Sequence, residues 1–113
     1  VSTTPLFDIT EWEQDQEQPH VTVNTAIRVC EIMAQLVIQS FDTSPPTSAA
    51  DGDAYYIDGT GHGDWTGHSH ELALRVGSAW HYVSPRTGMM AWSVPDGYAI
   101  RFEGDSPEMW VTL

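Results

Sequence analysis

Lysine is missing altogether from these 113 residues, and only four arginines (Arg28, Arg75, Arg86, Arg101) offset 16 acidic side chains, for a formal net charge of −12. Nucleic-acid binding relies on a basic stripe that displaces condensed counterions, and four scattered arginines do not make one. Attachment to an anionic membrane surface is excluded for the same reason. No apolar run approaches the ~20 residues of a membrane span, and no signal-peptide pattern opens the chain, so no membrane insertion is expected. With the single cysteine, Cys30, an internal disulfide is impossible. Five tryptophans, four tyrosines and three phenylalanines exclude a disordered acidic tail. The composition fits one domain with a genuine core, in a protein suited to concentrated salt, where screening mutes self-repulsion.

Four segments follow from the pattern. Residues 1–21 have no clear period and read as an extended N-terminal arm with isolated apolar groups, Phe7, Ile9 and Trp12, among acids. These three are the expected anchor of the arm on the chain's own body or a neighbour. Residues 22–41 read as a long helix, strongest over 24–40, with Thr22 or Asn24 placed to cap it. One stripe holds Ala26, Ile27, Cys30, Met33, Ala34, Val37 and Ile38; an adjoining one holds Val29, Ile32 and Leu36. Together they exceed the ~100° stripe of an ordinary surface helix. The excess predicts helix-to-helix contact between copies, through Val29, Ile32, Met33, Leu36 and Val37, with a homotrimer as the expected assembly. In this reading Cys30 is inert packing.

Residues 42–53 form a Pro-rich linker around Pro45-Pro46. From residue 54 to 113 the period is two, broken by turns at Gly77-Ser78, Pro85–Gly88 and Pro95–Gly97. The expected fold class is therefore α+β: arm, one long helix, then a small antiparallel meander of about five strands.

Chemistry is sparse. The segment 59–71 gathers His62, His68 and His70 with Asp64 and Glu71, a conceivable set of metal ligands. It lacks the helical H-E-x-x-H spacing and the paired motifs of zinc deaminases, so a polar loop is the preferred reading over a small metal-binding protein. There is no G-x-S-x-G elbow and no phosphate loop. Neither an enzyme nor a cofactor is expected. Trp65 and Trp80, with His68 and His70, form a conceivable ligand surface, since aromatic rings beside polar groups stack on sugars; aromatics at period two are more often core.

A resemblance adds to this reading. It rests on six elements in order: Gln18–Asn24 leading into the helix; the Pro-Pro linker with Asp51–Ile57; Gly63–His68; Leu72–Leu74; Gly77–Tyr82 with Pro85–Gly88; and Ala91–Val94. The series, covering roughly residues 16–104, resembles the domain of unknown function numbered 2793. That resemblance implies a structural protein of a tailed phage, or of the head spike or tail fibre of a gene transfer agent. It implies location in a virion, capsid, tail or fibre proteins as partners, and no catalytic residues. The expected function is an oligomeric adaptor, base or small spike component. The alternative is a carbohydrate-binding module touching host surface glycans.

Overall fold

The computed structural model describes Thr10, residues 19–104 and residues 109–113. The arm residues Phe7, Ile9 and Trp12 lie outside the described residues. Helix α1 spans Pro19–Ala34. The chain turns at Gln35 and immediately becomes strand β1, Val37–Asp42. Strand β2 (Ala54–Ile57) follows the linker, and a short 3-10 turn, Gly63–Trp65, precedes β3 (Leu72–Val76) and β4 (Ala79–Val83). The C-terminal half adds β5 (Met90–Ser93), β6 (Tyr98–Phe102) and β7 (Trp110–Thr112).

All seven strands join one sheet in the order β4-β3-β2-β1-β5-β6-β7. Central β1 pairs in parallel with β2 on one side and β5 on the other, while every remaining pair is antiparallel. The chain thus builds outward from β1 in one direction to β4, then returns and builds in the other.

The helix covers one face of this sheet. Val29 and Ile32, three residues apart on one side of the helix, and Leu36 just beyond its end are buried with Ile38, Ala54, Tyr56, Leu72, Leu74, Ala91 and Ile100. Burying each large apolar side chain contributes about 1.5–3 kcal/mol. A second cluster fills the opposite face of the N-terminal half: Tyr55, Ile57 and Ala73 beneath the fully buried Trp65, with Trp80 and Tyr82 at its border. The β2–β3 loop thus acts as the lid of that half. Tyr82 fastens it by donating its hydroxyl hydrogen to the Asp64 carbonyl at 2.7 Å. Glycine is required at position 61 because any Cβ there would collide with the Trp65 carbonyl.

Four expectations are corrected. The helix does not extend over 22–41; it ends at Ala34, and Val37–Asp42 is the middle strand of the sheet. Only Ile38 of this strand is buried and its apolar start is two residues long, too short to separate a strand from a helix by period, so Val37-Ile38 continued the helical period without being helical. The β region is not a five-strand antiparallel meander but part of a seven-strand mixed sheet that includes β1. The stripe assigned to contacts between copies is spent internally: Val29, Ile32 and Leu36 are buried against the chain's own sheet, and Met33 packs on the same cluster. Of the other stripe, Ile38 is buried in the sheet and Met33 packs on the core, while Ile27 and Cys30 are exposed, so the thiol is not core packing. The Gly77-Ser78 hairpin between β3 and β4 forms as expected, with Gly77 at φ 64°. Among the described residues no helix is long and apolar enough to cross a membrane.

Candidate functional site

Strands β2, β1 and β5 run in the same direction, so their carboxyl ends lie together. In open α/β sheets ligands collect at such ends, where the order of connection reverses; this sheet is parallel only across β2, β1 and β5. Here β1 supplies the reversal. Its pairing with β5 covers only Val37–Trp92 and Ile38–Ser93; past an irregularity between Ile38 and Phe41 it continues along β2 alone. A cleft of about 560 Å³ lies at this end of the sheet. One wall comes from the β1–β2 side, with Phe41, Tyr56, Asp58 and His70. The other comes from β6, β7 and the turn before β6, with Asp96, Tyr98, Ile100 and Trp110.

Each wall has a structural reason to stand where it does. Phe41 and Tyr56 are register partners and meet edge to face at 5.9 Å. Trp110, the partner of Phe102, also meets Tyr56 edge to face at 5.6 Å. Tyr56 is the buried floor. Its hydroxyl donates to the Met109 sulfur at 3.0 Å and lies 3.5 Å from His70 Nδ1. Burial, then the neighbouring Asp58 charge, pushes this phenol up to about 12, so it stays protonated. His70 holds a left-handed backbone, φ 61°, rare for a residue with a Cβ, and its N–H donates to the Ile57 carbonyl at 2.8 Å. Asp96 closes its turn by accepting the Ser93 hydroxyl at 2.8 Å. The cleft therefore combines two carboxylates, aromatic walls and a protonated phenol, and no arginine lines it.

The residues singled out from sequence do not converge there. Trp65 is fully buried, so it offers a ligand no surface. Trp80 is half-buried, meets Trp65 edge to face at 5.3 Å and carries the Arg75 guanidinium 4.8 Å from its ring centre. His68 stacks on Tyr82 and donates from Nδ1 to Glu71 at 2.6 Å. Ser84 donates to the other Glu71 oxygen at 3.2 Å, which puts the carboxylate between serine and histidine rather than the histidine between the other two. His62 is exposed on the loop, and of the three histidines only His70 reaches the cleft. Among the described residues no group of three or more His, Cys, Asp or Glu is placed to hold a metal ion. Tyr56, Asp58, Asp96, Tyr98 and Trp110 escaped sequence reasoning because they come from three separate segments, 56–58, 96–98 and 110. The available signal was an aspartate directly after an apolar strand, Ile57-Asp58, which gains meaning only once β1 and β2 are known to be parallel.

A second feature lies on the sheet face opposite the helix. The loop carrying Trp65 covers its N-terminal half. On the C-terminal half, Val37, Trp92 and Ala99 stand in one cross-strand row and Met90, Arg101 and Val111 in the next. Met90 is 62% exposed, Trp92 46% and Val94 47%. A solvated sheet face ordinarily alternates to polar residues; this one is apolar. Its charges are Arg101 and, paired with it at 3.0 Å, Glu103 at the rim.

Comparison with known families matches residues 23–110 to the family described as "Protein of unknown function (DUF2793)". A comparison with curated proteins finds no match.

Proposed function

The chain belongs to the DUF2793 family, and from that premise we propose that it is a structural subunit of a phage-like particle, an oligomeric adaptor or base within a head spike or tail fibre. The observation that carries the proposal is the apolar sheet face around Met90, Trp92 and Val94. Exposed apolar surface of this kind marks protein contact. Its occupant is another copy of the same chain. A molecule of net charge −12 meets its like most easily where carboxylates are few, and the central rows of this face contain none. Such a contact replaces the helix bundle, whose stripe is already buried. It keeps the trimer as the expected stoichiometry and the virion as the location.

The glycan alternative loses its stacking platform at Trp65 and Trp80, since the first is buried and the second only half-open. The test is light-scattering mass at micromolar concentration in high salt. The proposal expects a trimer that Trp92→Glu converts to folded monomer. A monomeric wild-type chain, or a trimer unaffected by Trp92→Glu, overturns it.

A further inference from the structure

We propose that the cleft at the carboxyl ends of β1 and β2 binds an ammonium group carried on an apolar stem, with Asp58 and Asp96 facing the charge and Phe41, Tyr98 and Trp110 enclosing the stem. The volume, about 560 Å³, lies within the range of small-ligand sites. The lining is selective in sign. It holds two carboxylates, while all four arginines lie among the described residues and none lines the cleft. Among the described residues Asp58 and Asp96 make no ion pair; the two pairs present are His68–Glu71 and Arg101–Glu103. Asp58 lies close enough to the Tyr56 hydroxyl on the cleft floor to help raise its pKa, after burial.

The aromatic walls favour the same ligand. An ammonium group is drawn to the electron-rich faces of aromatic rings, and its alkyl stem is covered by them. A neutral ligand of equal shape would gain the apolar contact and forgo both the carboxylates and the ring attraction. These 113 residues contain no lysine, so a lysine side chain in the cleft would come from outside them; a free alkylamine offers the same chemistry. This site is separate from the open sheet face, and its occupancy does not depend on the stoichiometry proposed above.

The experiment follows the Trp110 indole N–H resonance during titration of the full chain with n-butylammonium chloride at low salt. It is repeated with n-butanol, Nα-acetyl-lysine methylamide and methyl glucoside, and on the Trp92→Glu variant so that assembly and binding are scored apart. Saturable binding of butylammonium is expected, with n-butanol about tenfold weaker or worse, a difference of about 1.4 kcal/mol. Asp58→Asn should weaken butylammonium several-fold, and Asp58→Asn with Asp96→Asn should weaken it about tenfold. Equal or tighter binding of the lysine derivative identifies a partner's lysine as the source, and binding of butylammonium alone identifies a free amine. Equal affinity for n-butanol, an unchanged affinity in the Asp58→Asn variant, or binding of methyl glucoside in preference to butylammonium overturns the proposal.

Discussion

His68 lies flat on Tyr82, with ring centres 3.5 Å apart and planes within 6° of parallel. Glu71 holds the imidazole from the side and Tyr82 in turn grips the Asp64 carbonyl. This chain of contacts pins the loop over Trp65. His68→Ala should therefore behave as a structural lesion, costing about 1 kcal/mol from the lost aromatic pair and lowering the melting temperature by about 4 °C. The half-buried His68–Glu71 hydrogen bond is lost with the ring. Thermal unfolding followed by circular dichroism checks this; an unchanged melting curve would show the stack to be decorative.

The helix stripe makes an opposite pair of predictions. Ile32→Ala should cost about 2–5 kcal/mol as a cavity in the chain's own core, and Ile32→Asp should unfold the protein by burying an unpaired charge. If Ile32→Asp instead yielded a folded monomer, the stripe would be an interface between copies after all. Circular dichroism measured beside light scattering separates the two results.

Two tyrosines set the alkaline limit. Tyr55 is raised to about 12 by burial and then by its hydrogen bond to Asp53 and that residue's charge; Tyr56 is raised to about 12 by burial and Asp58. In the unfolded chain a phenol ionises near ~10. Their neutral forms favour the fold, and this contribution is whole below pH ~10 and is lost as pH climbs toward 12. Ultraviolet titration should show these two phenols ionising late, joined by Tyr82, which burial and the charges of Asp64 and Glu71 also push up, and denaturant midpoints should decline across that window.

His81 sets an acid limit. Burial lowers its pKa, and its Nε2 is buried without a hydrogen-bond partner. On acidification the unfolded chain takes up this proton first, near ~6.5, so stability falls as pH drops through that value. His81→Leu removes an unsatisfied polar atom beside Leu74, its cross-strand partner. It should raise stability by about 1 kcal/mol at neutral pH and flatten the acid decline. A destabilised variant with the same acid decline contradicts both expectations.

Salt dependence follows from the charge. Copies of net charge −12 repel at long range, and the Debye length grows from ~8 Å at physiological ionic strength to ~30 Å at 0.01 M. The assembly should dissociate on dilution into low salt, read by sedimentation. A mass independent of salt argues against contact between such copies.

The sequence revealed local pairing better than global order. The Gly77-Ser78 turn marks its own hairpin, because a tight turn needs a positive φ and the flanking residues alternate. The runs at Met90, Tyr98 and Trp110 were likewise legible as strands. What alternation does not encode is which strands lie side by side. Nothing in Val37–Asp42 announces that Ala54 and Ser93 will flank Ile38, and an apolar pair directly after a helix, Val37-Ile38, fits either period. The cleft was hidden for the same reason, since its walls meet only after β1 is placed. Trp65 shows the converse: an aromatic in a glycine-rich polar loop looked available to a ligand, and the loop folds back to bury it.

The position of β1 also governs the order in which the molecule can be made. Its pairing with β2 and the β3–β4 hairpin closes over short stretches of chain, but the pairing of Val37 with Trp92 must wait until most of the polypeptide exists. A chain emerging from the ribosome therefore presents the central strand with one bare edge for much of its synthesis. Long-range pairings of this kind slow folding and leave strand edges exposed to other chains. The capture of β5 closes that bare edge and precedes the pairing of β6 and β7, so a nascent chain arrested before Trp92 should be the species most prone to aggregate.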